Sequence, residues 1–438
     1  MTRNWFLSAG AVGLLVSLAA CKSDNVHITG PKGQEAFAKY VSLGTSVSMG
    51  YMNEGVYFAT QQTSWPALLA HQAFATSFTE PLLQGPGCYS PIIAPISLGP
   101  KRLSGATYPS VSSTDQVCAL IANSILPTNN VAVDGATTYH ALRITPESTV
   151  ATPTTIDSDQ RKRLYKAILA GGRSQVSSMM VQNPTLVSVE LGANEALRTV
   201  TSGVLLAATA YRQPDATYTY YPTSLWQPQY DAIVDSIAKT GAKALLVSVP
   251  LIPNIVGVYA GDDFYQDRAA FASFGITVSS DCNGNTNSIF AFGKVLFALG
   301  SAKPNTFSCT DNPSATPVFT QTTAPDYVLT PSDTAFVNSL IRTMNTHIAL
   351  EAQTHGWAYL ELNTALADFI ARKTRFSLSN FLSCTRPFGQ YIGLDGVHPT
   401  ADGQQAIANA AADALNTQYG FEIPKNVRPI LTPAQLCP

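Results

Sequence analysis

Charged residues are scarce in this sequence. They make up 12% of 438 residues, and 26 Lys and Arg nearly balance 28 Asp and Glu, for a formal net charge of −2. No basic stripe or long Lys/Arg run occurs, so nucleic acid is excluded as the expected partner. Hydrophobic residues make up 45% of the chain, which is enough for a large core and excludes global disorder. This low charge, with many Ser, Thr, Asn and Gln residues, is typical of an exported protein.

Apolar runs long enough to span a bilayer comfortably are also missing. The apolar run near the start is too short for this. Arg3 precedes an apolar run over residues 6–20, as in a signal peptide. The run ends in Leu-Ala-Ala-Cys, which resembles a bacterial lipobox with Cys21 as the lipidated residue. A plain signal peptide is the alternative. We therefore expect a signal peptide over 1–20, a lipidated tether over 21–38, and a cell-envelope lipoprotein held by its lipid anchor. By resemblance to enteric lipoproteins, Lys22 favours the outer membrane.

No CxxC motif occurs among the seven cysteines, which makes a metal site a weak alternative. Setting Cys21 aside leaves an even number, as expected for disulfides in an oxidising compartment. Fifteen pairings of six cysteines are possible. We expect the sequential one: Cys88–Cys118, Cys282–Cys309 and Cys384–Cys437. Each bridge closes a loop worth about 3–4 kcal/mol in the chain-entropy model.

Apolar strand patterns alternate with helical ones along residues 39–438. The predicted strands cover residues 36–43, 130–133, 185–191, 244–249 and 357–362. The predicted helices cover about 64–78, 159–183, 229–240, 331–355 and a stretch after 400. Alternation of this kind predicts an α/β fold with a parallel sheet. Residues 80–125 read as a long loop, and residues 251–328 as an irregular insertion near the mouth of a site.

Histidine is another scarce residue, with only six copies, and this narrows the search for a general base. Four have simpler explanations in the tether or in helices: His27, His71, His347 and His355. His140 is a competitor near a loop. His398 lies on a loop flanked by Gly and Pro, with Asp395 three residues before it, so a carboxylate could orient its ring. A turn aspartate beside a surface histidine is the ordinary alternative.

Three further segments offer the remaining parts of a serine hydrolase. Ser46 follows the first strand, where its hydroxyl would point from the carboxyl edge of the sheet. Gly135 and Asn194 follow other strands and could donate to an oxyanion through a backbone N–H and a side-chain amide. Each has a plain alternative: a helix-capping serine, a turn glycine and a capping asparagine.

Together these segments resemble the SGNH, or GDSL-type, esterase/lipase superfamily, in which Ser, Gly, Asn and His follow in this order. The resemblance covers about residues 39–418 and implies a flavodoxin-like three-layer α/β/α fold. It also implies a Ser46–His398–Asp395 triad, with Ser46, Gly135 and Asn194 forming the oxyanion hole, and no metal or organic cofactor. Two residues depart from the family pattern. Thr45 stands where the family has the aspartate of Gly-Asp-Ser-Leu, and Glu195 replaces the aspartate after Asn194.

The leading hypothesis is a cell-envelope carboxylic ester hydrolase that forms an acyl-enzyme. Its substrate could be a lipid, an acetylated glycan or a small ester, and we expect a monomer. The alternatives are a polysaccharide O-acetyl esterase, a non-catalytic binding lipoprotein on the same fold, and metal-dependent hydrolysis, for which no ligand cluster is evident. Four aromatic residues of the insertion could shape the substrate choice: Phe264, Tyr265, Phe290 and Phe292. If His398 is the base, activity is expected to rise between about pH 6 and 7.

Overall fold

A computed structural model describes residues 30–122, 124–148, 163–211, 220–312 and 325–438. The expected signal peptide, Cys21 and the first half of the expected tether, over 21–29, lie outside the described residues. Within these ranges, no helix has both the length and the apolar character needed to cross a membrane.

The centre of the fold is a parallel sheet. Its strands are β1 (Tyr40–Gly44), β2 (Leu186–Glu190), β3 (Lys243–Val247) and β9 (Ala358–Leu360), hydrogen-bonded in that order. A short segment over 129–133 runs parallel to the free side of β1, where Val131 N–H donates to Ser42 O at 3.0 Å. If the five strands are numbered by their position along the chain, with this segment as the second, they lie side by side in the order 2-1-3-4-5. This is the flavodoxin-like doubly wound order. The predicted α/β class is therefore confirmed.

Helices flank the sheet in two groups. The bounds of those that carry the architecture are α1 Ser46–Met49, α2 Phe58–Gln61, α3 Trp65–Gln72, α4 Thr138–Arg143, α5 163–168, α6 Gln175–Met180, α7 Leu197–Ser202 and α8 Thr223–Ala238. After the insertion come α12 Pro331–His355, α13 Leu362–Ala365, α14 Ala367–Ala371, α15 Leu378–Ser383, α16 Ala401–Tyr419 and α17 Pro433–Leu436. In one group α16 packs against α3, and in the other α12 packs against α8. Both α12 and α16 also pack on β3 and β9. Every residue of β1 and β2 is buried, as expected for strands covered on both faces.

The strongest sequence signals for helix ends are confirmed. Thr330 caps α12 by accepting from the N–H of Asp333, and Gly356 ends the helix with φ +64°. Thr400 caps α16, as predicted. The helix expected from about 159 to 183 is instead two helices, α5 and α6, because the chain turns at Gly172 (φ +70°). Part of that expected helix lies outside the described residues.

Two other boundaries were wrong. The first strand was expected from residue 36, but Gln34–Phe37 form a 3₁₀ turn and β1 begins at Tyr40. The helix after Ser64 was expected to reach residue 78, but α3 ends at Gln72. Shortly after, Phe74 adopts a left-handed backbone with φ +56°, which an α-helix does not accommodate.

The insertion over 251–328 is more regular than its sequence predicted. Strands β4 (Val258–Ala260), β6 (Ser288–Phe290) and β8 (Val328–Leu329) form an antiparallel sheet, and β5 (Ile276–Val278) pairs in parallel with β7 (Asn305–Phe307). Its helices are α9 Gly261–Gln266, α10 Arg268–Ala272 and α11 Ala291–Gly300. The strands have only two or three residues each, too short for an alternating pattern to be visible among so many turn residues.

All three expected disulfides are present: Cys88–Cys118, Cys282–Cys309 and Cys384–Cys437. The first ties the loop over 80–125, and the second ties the insertion. The third joins the C-terminal tail to the end of α15, shortly before the loop that carries His398.

Candidate active site

Ser46 lies at the carboxyl end of β1, as the first residue of the single-turn helix α1. Thr45, not Ser46, occupies the N-cap position, so the capping-serine alternative does not explain Ser46. Gly50 ends this turn with φ +80°, and a Cβ there would lie 2.6 Å from the carbonyl oxygen of Thr60. Only glycine fits this position. At Gly44, a Cβ would lie 2.4 Å from Ser48 Oγ, so the close approach of the turn to β1 also requires glycine.

A buried carboxylate that we did not predict binds the turn that carries Ser46, called the serine turn below. Glu190, the last residue of β2, accepts hydrogen bonds from the backbone N–H and the hydroxyl of Thr45 at 3.0 and 2.8 Å. It also accepts from the N–H and the hydroxyl of Ser48, at 3.3 and 3.0 Å. Burial raises the pKa of Glu190, although these hydrogen bonds oppose the rise. Thr45 therefore retains a local packing role, since its side chain binds a carboxylate supplied by the neighbouring strand.

His398 and Asp395 lie together, as their spacing predicted. The His398 Nδ1 atom is 3.0 Å from Asp395 Oδ2. The carboxylate also accepts from the N–H groups of Val397 and His398, at 2.9 and 2.8 Å, and from that of Glu54 at 3.1 Å. Asp395 is fully buried, and its hydrogen bonds fix its position. A carboxylate on Nδ1 favours the tautomer that leaves Nε2 to face a reacting group.

The surroundings of His398 change its protonation. Burial alone would lower the pKa of the ring, but the attraction and hydrogen bond of Asp395 raise it. The carboxylates of Asp134 and Glu54 act in the same direction, and the net effect raises the pKa of His398 to about 9. The same pairing lowers the pKa of Asp395, in spite of its burial. This direction predicts that activity rises at higher pH than the range of about 6 to 7 expected for an unperturbed histidine.

The histidine loop is held against the insertion. Gly257 N–H donates to Gly396 O at 2.8 Å, and a Cβ on Gly257 would lie 2.6 Å from that oxygen. On its other side, the ring of Tyr51 packs on the His398 ring, with centroids 4.8 Å apart. The loop closes on itself where Gly393 N–H donates to His398 O at 2.8 Å.

Gly135 and Asn194 follow the carboxyl ends of the two strands that flank β1, the segment over 129–133 and β2. Asn194 lies in a 3₁₀ turn after β2, and its Nδ2 donates one hydrogen bond to Ala136 O at 3.0 Å, so the glycine and asparagine segments are joined directly. An amide has two N–H groups, so a second donor remains. Gly135 has φ +69°, typical of a glycine turn. Within the described part of the chain, the N–H groups of Ser46 and Gly135 have no acceptor.

Glu195 does not aim at the cavity. Its Oε1 accepts from the N–H and the hydroxyl of Thr138, both at 2.7 Å, and from the hydroxyl of Tyr211 at 3.1 Å. Burial raises its pKa to about 7. This residue therefore ties the asparagine turn to the start of α4. The longer side chain that departs from the family pattern reaches a partner on another segment.

A single cavity of about 370 Å³ brings most of the site together. Its lining includes Ser46, Asn194 and His398. The described residues include no hydrogen bond between the Ser46 hydroxyl and His398; such bonds are often loose before substrate binds. Charged lining residues are Glu54, Asp134 and Arg198. The insertion supplies a wall: Phe290, Phe292, Gly293, Pro325 and Tyr327.

Phe264 and Tyr265, which we expected to shape the site, do not line this cavity. Helix α9 buries Phe264 among other aromatic rings, with the centroid of Phe307 in the insertion 4.9 Å away and that of Phe376, outside the insertion, 4.6 Å away. Phe290, in β6, and Phe292, in α11, do line the cavity that Ser46 lines; their effect on substrate choice stays a prediction.

The competing histidine and the possible metal ligands lie elsewhere. His140 Nδ1 accepts from the N–H of Thr137 in the cap of α4, and His140 does not line the cavity. Two groups of potential metal ligands occur among the described residues: Asp281, Cys282 and Cys309, and Asp231, His347 and Glu351. The two cysteines are joined in a disulfide, and His347 Nε2 is 2.6 Å from Asp231. Neither group lines the cavity.

Comparisons with known proteins add only a distant likeness. No protein-family model matches this chain, and no curated protein matches it. Three solved structures that resemble it are variants of Axe2, an acetyl-xylooligosaccharide or acetylxylan esterase from Geobacillus stearothermophilus. The identities are 11%, 10% and 10%, each match covers 89% of this chain and 97% of the other, and each TM-score is 0.35. At this distance the likeness carries no argument about function.

Proposed function

We propose that this protein is a serine ester hydrolase of the SGNH type. The observation that carries the proposal is the shared cavity of Ser46, Asn194 and His398, in which a buried Asp395 binds the far nitrogen of the histidine ring at 3.0 Å. These are the nucleophile, oxyanion donor, base and orienting group that acyl transfer needs.

The proposed reaction has two halves. His398 Nε2 takes the proton of the Ser46 hydroxyl as its oxygen bonds to the ester carbonyl carbon. The N–H groups of Ser46 and Gly135 and the Asn194 amide stabilise the oxyanion. The intermediate then expels the alcohol, which takes the proton from His398, and leaves an acyl group on Ser46. Water attacks the acyl-enzyme with His398 again as base, which releases the acid and restores Ser46.

A fluorophosphonate probe and a short-chain p-nitrophenyl ester test this proposal. We expect the probe to add covalently to Ser46, as located by mass spectrometry, and Ser46→Ala to abolish both labelling and turnover. Ser339→Ala, at an exposed serine of α12 away from the cavity, is the matched control and should still be labelled. Absence of labelling and of turnover in the unmodified protein would favour the binding-lipoprotein alternative.

We further propose that Cys21 carries a lipid and holds the hydrolase at the cell envelope. The support is the short apolar run and the Leu-Ala-Ala-Cys sequence that ends it. Expression in a bacterium, followed by fractionation and mass spectrometry of the N-terminal peptide, tests this. We expect a diacylated N-terminal cysteine, and Cys21→Ser should move the protein out of the membrane fraction. An N-terminus at another residue would contradict the anchor.

A further inference from the structure

A second cavity lies beside the cavity at Ser46. The second one has a volume of about 360 Å³ and shares four lining residues with the first: Tyr108, Phe292, Gly293 and Tyr327. Each volume lies in the range of pockets that hold a whole small ligand, roughly 300–1,000 Å³. An acetyl group would occupy a small part of the first cavity and none of the second.

The two cavities differ in their chemistry. The first has the charged side chains of Glu54, Asp134 and Arg198 in its lining. The second, among the described residues, is lined by no charged side chain, and its own additions are mainly apolar: Leu98, Pro100, Pro109, Leu296, Phe297 and Leu299. The polar first cavity and the apolar second cavity therefore suit the polar and the apolar parts of an amphiphilic ester.

The walls of the second cavity come from two different segments. Helix α11 supplies one side, and the loop over 98–109 supplies the other. Where the cavities meet, the rings of Tyr108 and Phe292 lie with centroids 5.6 Å apart. The Tyr327 ring packs directly on Gly293, where a Cβ would lie 2.3 Å from Tyr327 Cε1. Glycine at 293 thus lets an aromatic ring form the junction.

Apolar side chains also line the opening to solvent. Leu98 is 66% exposed and Phe297 is 50% exposed, and both line the second cavity. Apolar surface of this kind gains free energy when an apolar group covers it. This surface belongs to a cavity that shares four lining residues with the cavity of Ser46, so the apolar part of a molecule bound at Ser46 could cover it.

We propose that the substrate is an ester of a long, apolar acyl chain. Its carbonyl lies at Ser46, and its chain passes Tyr108, Phe292 and Tyr327 into the groove between α11 and the loop over 98–109. The alcohol portion then stays on the polar side, near Arg198. This inference rests on the proposed hydrolase function, and it names the acyl group as lipid-like, not acetyl.

A series of p-nitrophenyl esters from acetate to dodecanoate, used below their aggregation limits, tests the proposal. We expect kcat/KM for octanoate to exceed that for acetate by at least tenfold, because each buried methylene adds to transition-state binding. Phe297→Asp places a charge in the groove at a half-exposed position. It should reduce kcat/KM for octanoate by a factor at least ten times larger than its effect on kcat/KM for acetate.

Two more variants make the test specific. Leu350→Asp is the matched control, since Leu350 is 53% exposed on helix α12 and lines neither cavity. Gly99→Leu fills the groove: a Cβ at Gly99 would meet only the methyl of Thr107, at 3.8 Å. Gly99→Leu should shift the highest kcat/KM to esters of shorter acyl chains. Leu350→Asp should leave kcat/KM unchanged for every ester in the series.

The outcomes separate this inference from the function on which it rests. If acetate is turned over as well as octanoate, or if Phe297→Asp and Gly99→Leu slow all esters equally, the acyl groove is wrong and the hydrolase proposal stands. If no ester is turned over and a fluorophosphonate does not label Ser46, the hydrolase proposal fails, and this inference fails with it.

Discussion

The sharpest prediction concerns the pH dependence of the proposed hydrolase. The base must be neutral to accept the proton of Ser46, and the pKa of His398 is raised to about 9. At pH 7 roughly 1% of the rings would then be neutral, since the neutral fraction falls tenfold for each pH unit below the pKa. We therefore expect kcat/KM to rise about a hundredfold from pH 7 to its plateau above pH 9.

Replacing a carboxylate of the cavity by a neutral amide should shift the pH profile of kcat/KM to lower pH. Glu54 is one of the carboxylates that raise the pKa of His398, and Glu54→Gln keeps the backbone N–H that donates to Asp395. The neutral amide no longer stabilises the imidazolium, so the rise should move to lower pH. The shift should be modest, because the charge of Asp395 remains beside the ring.

The assay is kcat/KM for a soluble p-nitrophenyl ester between pH 5 and 10.5, with buffers matched in ionic strength and product measured at a pH-independent wavelength. Glu422→Gln, at an exposed carboxylate, is the control and should not move the profile. If the midpoint of the pH profile lay near 6.5, the neighbouring carboxylates would not raise the pKa of His398 in the free enzyme. A flat profile would remove His398 as the base.

Three substitutions probe the supports of the site. Asp395→Asn should preserve the fold and reduce kcat by several orders of magnitude, about 10⁴-fold in a comparable triad, because the ring loses its favoured tautomer. Glu190→Gln should lower both the melting temperature and kcat, since an amide cannot accept from all four donors and buried unpaired donors cost about 1–3 kcal/mol each. Gly50→Ala should destabilise the fold by more than Gly356→Ala, as measured by denaturant unfolding. Both glycines have positive φ, but only at Gly50 would a Cβ meet backbone atoms, whereas nothing lies within 4 Å at Gly356.

Each substitution has a result that would contradict its reasoning. Near-normal kcat in Asp395→Asn would exclude Asp395 from the mechanism. An unchanged melting temperature in Glu190→Gln would mean that the serine turn does not depend on this carboxylate. Equal losses of stability at Gly50 and Gly356 would show that the backbone angle, and not the lack of space, sets the requirement for glycine at position 50.

The sequence predicted the sheet and its flanking helices because the strands are apolar runs and the long helices have clear caps. Thr330, Gly356 and Thr400 carry local signals whose effect does not depend on distant residues. The pairing of Asp395 with His398 was predictable for the same reason, since the two residues lie three positions apart on one loop.

Features that depend on contacts between distant segments were missed. Glu190 reads as a polar residue at the end of a strand, and only the parallel pairing of β1 with β2 places it opposite Gly44, beneath the serine turn. A carboxylate at the end of a buried strand rich in valine and leucine was the available signal. The raised pKa of His398 also depends on Asp134 and Glu54, which come from other loops. The short strands of the insertion form through pairing with one another, which no local pattern reveals.

The contact between Gly257 and Gly396 has a consequence for how such an enzyme could diversify. In the proposed hydrolase the insertion would select the substrate and His398 would be the base. The insertion and the loop that carries His398 touch backbone to backbone at these glycines, with no side chain between them to absorb a shift. Grafting a foreign module between residues 251 and 328 should therefore disturb turnover along with selectivity, unless the graft retains a glycine at this point of contact.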